Sequence, residues 1–515
     1  MCVTGAIQTI ASQSLAALKR PSLLLGLAVL ALHLLANGGY GFFRDELYFI
    51  VCGSRPDWGY VDQPPLIPLI AFWSHAAFGD SLALFRLAPA LAMAATAAMT
   101  AEFARSLGGG RLAQWLAGFC VMFSPVFLVL GVIYTTDMLQ PLTWLALSWC
   151  FVRLVRTGDG RWWLAFGAVA GAGLWSKYLV ASYAAALMLG MLATTLRRCL
   201  TRPWPYAGAA IAFLMILPNL YWQESHDWPF LDVASALAHG KNRVLTPFAF
   251  LAQQFFAMGP LTAPVWLAGL WAFSVRPAHA AFRAFPIAFV LLAAFLIAGH
   301  GKVNYFVAIY PALFAAGAVL LEAKFGAGAV RAALAAVAVE GAVFAPLALP
   351  ILPEEAAIRY LAELNISPSL TTAEIHEEGR MQQHFGDMHG WPEMAAKVAA
   401  VYRALPPQER AKAVFLGRNY GDAAAIDVFG AKLGLPPAIG GHNNYYLWGP
   451  RGHDGSVVIT VGGDRSWYLR RFRSVEVAGH TDNPYAQPSE IQPIYVLRGP
   501  KTPLPVMWRD FKRYG

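Results

Sequence analysis

Carboxylates beside apolar runs are the first residues of this sequence that could do chemistry. Arg44, Asp45 and Glu46 follow the first apolar run, and Asp62 and Asp137 stand in later connections between such runs. A carboxylate held in a cleft can act as a general base and take the proton of an attacking hydroxyl. Simpler interpretations remain open: an Arg44–Asp45 ion pair in an interfacial turn, a turn that begins a helix at Asp62, and a helix N-cap at Asp137.

Two lysines stand in short connections between apolar runs. Lys177 lies in a tight hairpin and Lys302 lies in the segment 300–305. A lysine at membrane depth can bind a phosphate through its point charge. It can equally extend to the lipid headgroups, so both interpretations are open for each lysine. The segment 417–421 (Gly-Arg-Asn-Tyr-Gly) follows a predicted strand and resembles a phosphate-binding turn, but it lacks the spacing of the known glycine motifs.

The composition indicates a membrane protein. Hydrophobic residues make up 57% of the 515 residues and charged residues 13%, and the mean hydropathy is +0.47. Soluble domains average about 45–50% and about 25%, so soluble, disordered and fibrous classes are excluded. The net charge of +9 lies almost wholly in residues 1–352, where 21 Lys and Arg stand against 13 Asp and Glu. Loop orientation explains this surplus better than nucleic-acid binding, so no nucleic-acid partner is predicted.

Eleven apolar runs are long enough to span a bilayer. They lie near 21–38, 82–104, 112–131, 138–154, 162–175, 178–196, 206–222, 248–273, 284–299, 304–321 and 329–350. The first run has no cleavage site after it and is predicted to be retained. With the N-terminus inside, the inside loops are basic, as the positive-inside rule requires. The acidic segments and both lysines then share the outside, while the short apolar segment 64–78 is predicted to lie at the interface.

Residues 353–515 have an ordinary soluble composition and contain none of the five cysteines. Helix and strand patterns alternate along them: helix 391–405, strand 411–417, helix 422–434, strand 456–463 and strand 492–499. This order predicts a parallel or mixed sheet. The predicted fold is therefore an α-helical polytopic membrane protein, with a transmembrane domain at 1–352 and an extracytoplasmic α/β domain at 353–515.

The acidic segments and the lysines on one face indicate an enzyme that acts on a lipid-phosphate substrate at the outer membrane surface. In such a reaction a lysine neutralises the phosphate that leaves, and a carboxylate activates the acceptor hydroxyl. Positioning and charge stabilisation would supply most of the rate enhancement.

The first outer loop resembles that of a known family. Residues 44–49 (Arg-Asp-Glu-Leu-Tyr-Phe) and 59–66 (Gly-Tyr-Val-Asp-Gln-Pro-Pro-Leu) are similar to motifs of the dolichyl-phosphate-mannose protein mannosyltransferase superfamily. These GT-C glycosyltransferases include the aminoarabinose lipid A transferases and the rhizobial lipopolysaccharide galacturonosyltransferases. The resemblance covers roughly residues 20–320 and implies a GT-C fold of about 11 transmembrane helices and a polyprenyl-phosphate sugar donor. It departs at Gln63, where the aminoarabinose branch often has a lysine.

The resemblance also implies roles for individual residues. Asp45 matches the acid taken as catalytic base, Asp62 and Asp137 match two further loop acids, and Lys177 matches a lysine facing the donor phosphate. The complete predicted site has three groups of residues: Asp45, Glu46, Asp62 and Asp137 as catalytic; Arg44, Lys177 and Lys302 as donor-phosphate-binding; Tyr60, Gln63, His300, Asn304 and Tyr305 around the cavity. No cofactor is predicted with certainty, a divalent cation is left open, and metal ligands are unknown.

The sequence therefore predicts a glycosyltransferase of the bacterial cytoplasmic membrane with Asp45 as general base. It would move a sugar, with inversion, from a polyprenyl-phosphate donor to a hydroxyl of a glycolipid, polysaccharide or protein. Its predicted partners are donor, acceptor and membrane lipids. Two alternatives remain: a transporter, which should show an inverted repeat that the sequence lacks, and a non-catalytic scaffold with an extracytoplasmic binding domain.

Overall fold

The computed structural model describes residues 20–275, 281–368, 374 and 377–515. The predicted cytoplasmic N-terminus with Cys2 and Lys19, and the basic Arg276 of a predicted inside loop, lie outside the described residues.

The helices of the apolar part follow one another with short connections. In chain order they are Pro21–Ala36, Arg44–Gly53, Leu66–Phe78, Leu82–Phe85, Leu87–Ser106, Arg111–Phe123, Pro125–Leu130, Gln140–Thr157, Trp162–Leu174, Leu179–Leu192, Trp204–Ser225, Pro229–Ala236, Pro247–Met258, Ala263–Val275, Ala284–Ala298 and Tyr310–Ala348.

Several of these helices are long and apolar enough to cross a bilayer. Among the described residues four qualify: Leu87–Ser106, Trp204–Ser225, Ala281–Ala298 and Val303–Ala348. Two pairs of helices qualify only when each pair is taken as one broken span: Leu179–Leu192 with Thr195–Thr201, bent by 109°, and Pro247–Met258 with Pro260–Val275, bent by 95°. Among the described residues there are thus up to six spans by length and composition. The chain is thus a multi-pass membrane protein, while the predicted count of eleven spans and the interfacial position of 64–78 stay predictions.

Prolines and one glycine explain where the helices differ from the predicted spans. The predicted span 112–131 is divided at Ser124, because Pro125 begins a new helix there. The predicted span 248–273 is bent by 95° around Gly259 and Pro260. The predicted spans 304–321 and 329–350 lie on the two sides of Gly326, whose φ of 74° interrupts the long helix.

The chain divides into two compact units that are not continuous in sequence. Unit 1 comprises residues 1–38, 86–218 and 244–351, and unit 2 comprises 39–85, 219–243 and 352–515. One boundary falls between 351 and 352, one residue before the predicted domain boundary between 352 and 353. The segments 39–85 and 219–243, expected in the transmembrane domain, belong instead to unit 2 by their contacts. The transmembrane and extracytoplasmic assignments themselves stay predictions.

Unit 1 is a helical core in which glycines allow close backbone approach. A Cβ on Gly317 would lie 1.8 Å from the carbonyl oxygen of Val265, and one on Gly269 would lie 2.1 Å from that of Leu313. The helices Ala263–Val275 and Tyr310–Ala348 therefore pack backbone to backbone, as small residues permit between membrane helices.

Unit 2 contains a five-stranded mixed sheet. Its strands are β1 Ala413–Gly417, β2 Ile439–Gly440, β3 Val457–Val461, β4 Phe472–His480 and β5 Pro493–Pro500, in the order β2-β1-β3-β5-β4. β1 pairs parallel with β2 and β3, and β5 pairs antiparallel with β3 and β4. The predicted strands 411–417, 456–463 and 492–499 are thus confirmed as β1, β3 and β5.

The remaining helices of unit 2 lie before, between and after these strands in the sequence. They are Glu354–Glu363, Gln383–Gly386, Trp391–Ala404, Pro407–Arg410, Tyr420–Ala425, Asn444–Leu447, Arg465–Arg471 and Leu504–Met507. The predicted helix 391–405 is confirmed. The predicted helix 422–434 is not one α-helix. The α-helix begins earlier, at Tyr420, because Asn419 caps it by accepting a hydrogen bond from the backbone N–H of Asp422, and it ends at Ala425, after which a π-helical turn and a 3-10 turn follow.

Candidate active site

Asp45 lies on the first turn of the helix Arg44–Gly53, and Glu46 fixes where that helix begins. The Glu46 carboxylate is fully buried and accepts a hydrogen bond of 2.8 Å from the backbone N–H of Phe43. An acidic side chain on this turn also interacts favourably with the helix dipole. The structure therefore gives Glu46, predicted as catalytic, a capping role that holds Asp45 at the helix start.

The Asp45 carboxylate is partly exposed and is held at one oxygen. The hydroxyl of Tyr420 donates a hydrogen bond of 2.7 Å to its Oδ1, and the Arg44 Nε lies 3.7 Å from the same oxygen. The side chain is 28% exposed. No residue in the described part of the chain donates a hydrogen bond to its Oδ2, so this oxygen is open to a ligand.

Arg44, predicted to bind the donor phosphate, is surrounded by carboxylates in unit 2. Besides Asp45, its guanidinium lies 3.7 Å from Asp387 and 3.9 Å from Glu374. Burial would lower the pKa of Arg44, but these acids outweigh it and hold the pKa above its ordinary value. Burial raises the pKa of Asp387 to about 6 despite the opposing charge of Arg44. Arg44 thus neutralises an acidic cluster, which leaves less of its charge for a phosphate.

Asp62 is bound to the same helix as Asp45. The hydroxyl of Tyr48 lies 3.0 Å from Asp62 Oδ1 and 3.3 Å from Asn444 Oδ1. Asn444 Oδ1 also accepts a hydrogen bond of 2.7 Å from the backbone N–H of Val61. The Tyr60 hydroxyl donates to the backbone carbonyl of Cys52 at 2.8 Å, which fastens the loop to the end of the helix. Tyr60, predicted to line the cavity, is fully buried and structural.

Gln63 is buried without a hydrogen-bond partner for its side chain among the described residues. Its side chain is 1% exposed, and neither amide atom is bonded there, although its backbone carbonyl accepts from the Tyr60 N–H at 3.0 Å. An unsatisfied buried polar group costs about 1–3 kcal/mol. A water molecule or a ligand group at this position would remove that cost.

Asp137 is the centre of a second cluster, in unit 1. Its Oδ1 lies 2.6 Å from the Lys177 Nζ, and its Oδ2 accepts a hydrogen bond of 3.0 Å from Asn304. The Gln140 amide also donates to Oδ1. The Lys177 ammonium lies 3.9 Å from the centre of the Tyr305 ring, within the range of a cation–π contact. The N-cap interpretation of Asp137 is wrong, because the helix Gln140–Thr157 has Leu139 as its N-cap.

Four predicted residues therefore meet in this cluster: Asp137, Lys177, Asn304 and Tyr305. Lys302 is the N-cap of the short turn Val303–Tyr305 that carries Asn304, and His300 precedes it with a φ of 50°. His300 and Lys302 are both partly exposed.

Sequence reasoning missed four residues that contact the predicted ones. Gln140 bonds Asp137 from one turn along the chain, and Tyr420, Asn444 and Asp387 bond or neutralise residues of the first outer loop. Tyr420 stands in the segment 417–421, which was singled out only as a weak phosphate-binding motif. The contacts of Asn444 and Asp387 could not be predicted, because each joins residues more than 300 positions apart.

Metal ligands are not gathered in the described part of the chain. No three His, Cys, Asp or Glu residues there are arranged to hold an ion. The four described cysteines are free, and three of them are buried.

Comparison with known proteins shows a family match over part of the chain and a similar fold over nearly all of it. Residues 62–222 match the family model described as Dolichyl-phosphate-mannose-protein mannosyltransferase. ArnT from Cupriavidus metallidurans in the apo state has a TM-score of 0.61 at 14% identity, covering 95% of this chain and 100% of that one. The same protein bound to undecaprenyl phosphate has a TM-score of 0.58 at 16% identity, covering 93% and 99%.

The chain has the GT-C fold. The resemblance predicted from the first outer loop is thereby confirmed. A curated relative, the lipid A galacturonosyltransferase RgtD of Rhizobium johnstonii, is 25% identical over 236 residues, or 45% of this chain. The chain spans about half the length of that relative, 49%. The matched range 62–222 includes Asp62, Asp137 and Lys177.

Proposed function

We propose that this GT-C protein transfers a sugar from a polyprenyl-phosphate donor to an acceptor hydroxyl on the outer face of the bacterial cytoplasmic membrane. The observation that carries the proposal is the state of Asp45. Its carboxylate lies on a first helical turn, partly exposed, anchored at Oδ1 and open at Oδ2. A general base needs such an unoccupied oxygen within reach of the hydroxyl that it deprotonates.

The reaction is a single displacement. The acceptor oxygen attacks the anomeric carbon, the bond from that carbon to the phosphate oxygen breaks, and the polyprenyl phosphate leaves with the bonding electrons. The acceptor proton goes to Asp45 Oδ2. Lys177 neutralises the charge that develops on the leaving phosphate, and Asp137 holds the Lys177 side chain until the donor binds.

The relatives suggest which substrates to test first. RgtD is named for transferring galacturonic acid to lipid A, and ArnT has been solved with undecaprenyl phosphate. We therefore propose undecaprenyl-phosphate galacturonic acid as the first donor and lipid A as the first acceptor. The C-terminal residues 353–515 are proposed to lie on the outer side, with the N-terminus inside.

The test uses the full-length protein in nanodiscs. Undecaprenyl phosphate, with and without the sugar, is titrated against wild type, Asp45→Asn, Lys177→Ala and the control Lys432→Ala. Lys432 is a surface lysine, 69% exposed and paired with Asp80. A hydrogen bond to a charged group contributes about 1.5–3 kcal/mol, so Lys177→Ala should weaken binding roughly 10- to 100-fold, whereas Lys432→Ala should not change it.

Asp45→Asn should bind the donor as wild type does and lose turnover by about 10²–10⁴, the usual contribution of a general base. Turnover is read by mass spectrometry of lipid A from cells and of the reaction in nanodiscs. Wild-type protein that binds no undecaprenyl phosphate, with or without a sugar, would overturn the donor assignment. Normal turnover by Asp45→Asn would overturn the role of the base.

A further inference from the structure

The C-terminal segment of unit 2 contacts the proposed base directly. Tyr420 follows β1, the first strand of the sheet, and its hydroxyl donates to Asp45 Oδ1 at 2.7 Å across 375 positions of sequence. Nothing in the proposed reaction requires a residue from this segment. The hydrogen bond between Tyr420 and Asp45 therefore either stabilises the fold or orients the base.

Tyr420 is held too firmly to move with Asp45. Its ring centre lies 4.7 Å from that of Tyr48 and 4.9 Å from that of His442, and the residue is 8% exposed. Its backbone N–H donates to His442 Nδ1 at 3.3 Å. The next residue, Gly421, has no room for a Cβ, which would lie 2.6 Å from the Cγ of Arg44. The hydroxyl is thus a fixed point against which the carboxylate is oriented.

The Tyr420 hydroxyl is also a permanent donor. Burial raises the pKa of Tyr420 well above its ordinary value, and the Asp45 charge adds to this effect. The hydroxyl keeps its proton at the pH at which cells grow. Since a carboxylate has two oxygens, one donor on Oδ1 leaves Oδ2 for the acceptor and fixes the plane in which it accepts the proton.

We propose that Tyr420 is a positioning residue for Asp45, so that the turn after β1 supplies part of the catalytic centre. The inference rests on the proposed function, because it needs Asp45 to be the base. Among the described residues, Arg44 pairs with Asp45, and Glu374 and Asp387 contact the same Arg44 guanidinium; none of these three side chains carries a hydroxyl that could replace that of Tyr420.

The first test needs no substrate. Carbodiimide with a labelled amine modifies carboxyl groups while they are protonated, and mass spectrometry of the Asp45 peptide gives the extent of labelling against pH. A hydrogen bond to the charged form favours that form. Tyr420→Phe should therefore move the labelling midpoint of Asp45 to higher pH. The control is Tyr445→Phe, which deletes a comparable bond of 2.8 Å, to Asp427 of the same unit.

The second test measures turnover with undecaprenyl-phosphate galacturonic acid and lipid A. Tyr420→Phe should lower kcat about tenfold, leave the KM for the donor unchanged, and move the acid limb of the pH–rate profile upward. Tyr445→Phe should do none of these. In an Asp45→Asn background, Tyr420→Phe should cause no further loss, because no base remains to be positioned.

The failures can be told apart. If Tyr420→Phe leaves the labelling midpoint of Asp45 in place, or if Tyr445→Phe moves it as far, the positioning role is overturned whatever the substrate. If Asp45→Asn is inactive but Tyr420→Phe keeps the wild-type kcat and profile, only the inference fails. If Asp45→Asn turns over normally, the proposed function fails first, and the inference fails with it.

Discussion

Replacing Asp137 by asparagine should make the protein less stable and yet tighten its binding of lipid phosphate. Three donors converge on the Asp137 carboxylate, from Lys177, Asn304 and Gln140, and the residue is only 5% exposed. Asparagine has nearly the same shape, but it removes the charge and replaces one acceptor oxygen by a donor NH₂. At least one of the three donors then loses its partner.

The loss of stability follows from the buried ion pair. Breaking such a pair costs about 3–5 kcal/mol when the remaining charge is fully buried. The Lys177 side chain is 15% exposed and keeps its contact with the Tyr305 ring, so about 2–3 kcal/mol is expected. This loss should lower the melting temperature by several degrees.

The gain in phosphate affinity follows from Coulomb's law. A phosphate bound to Lys177 would stand about 5 Å from the Asp137 carboxylate, since each contacts the ammonium at hydrogen-bond distance. Two like charges at this distance repel by about 3 kcal/mol at an effective dielectric constant of 20. Screening and the loss of orientation of Lys177 reduce the benefit, so binding about tenfold tighter is expected.

The assay titrates undecaprenyl phosphate against the variant in nanodiscs and records the melting temperature with and without lipid. Asp159→Asn is the control, because Asp159 is an exposed acid of the same unit with a local hydrogen bond to the Arg161 N–H. It should change neither quantity. Weaker binding by Asp137→Asn would refute the reasoning and would mean that Asp137 contacts the ligand or that the ion pair must be intact for binding.

Three further variants test the fold. Glu322→Gln should destabilise unit 1 by about 1 kcal/mol, because Glu322 accepts from the Gly110 N–H at 2.6 Å at the start of a helix. Gly317→Ala should cost about 1–3 kcal/mol, because the new Cβ would lie 1.8 Å from the Val265 carbonyl oxygen. The stability of Asp387→Asn relative to wild type should increase from pH 4 to pH 7, because the pKa of Asp387 in the folded protein, about 6, exceeds its ordinary value of 3.8. The free energy of unfolding of the wild type therefore falls by up to about 3 kcal/mol as the pH rises through this range.

All three are measured by thermal unfolding in the same detergent, and the first two have a control variant. Glu363→Gln removes an acid at the C-terminal end of a helix, where no loss is expected. Gly328→Ala lies on the same long helix as Gly317 with nothing near its Cβ, so it should be neutral or stabilising. For Asp387→Asn, a difference from wild type that is the same at pH 5 and pH 8 would contradict the raised pKa.

A short motif or a break in a charge pattern marks several of the predicted site residues in the sequence. Lys177 was singled out because a lysine on the predicted outer face needs a reason to be there, and the structure pairs it with Asp137, 40 residues away. The pairing itself could not be predicted, because Asp137 and Lys177 lie in different connections and only packing brings them together. Glu46 could have been predicted as a cap, since it stands at the third position of its helix.

The elements that the sequence missed lack an apolar pattern. β4 (Phe472–His480) is an edge strand with three of its first five residues charged or polar and exposed, so neither alternation nor an apolar run reveals it. β2 has only two residues. The predicted spans 112–131 and 248–273, which the structure divides, had the opposite problem. Their composition is continuously apolar, and only the prolines at 125 and 260 show where the helices end.

Composition divides the chain at residue 352. Contacts divide it differently, because they group the loop that carries the proposed base with the C-terminal residues. Apolar content separates 1–352 from 353–515, yet segment 39–85 belongs to one unit with 352–515. Asp45 is held by Tyr420, and the loop of Asp62 is held by Asn444. The C-terminal segment is therefore not an appendage that could be removed without effect on the first outer loop, and a truncated chain would not retain the geometry on which the proposed chemistry depends.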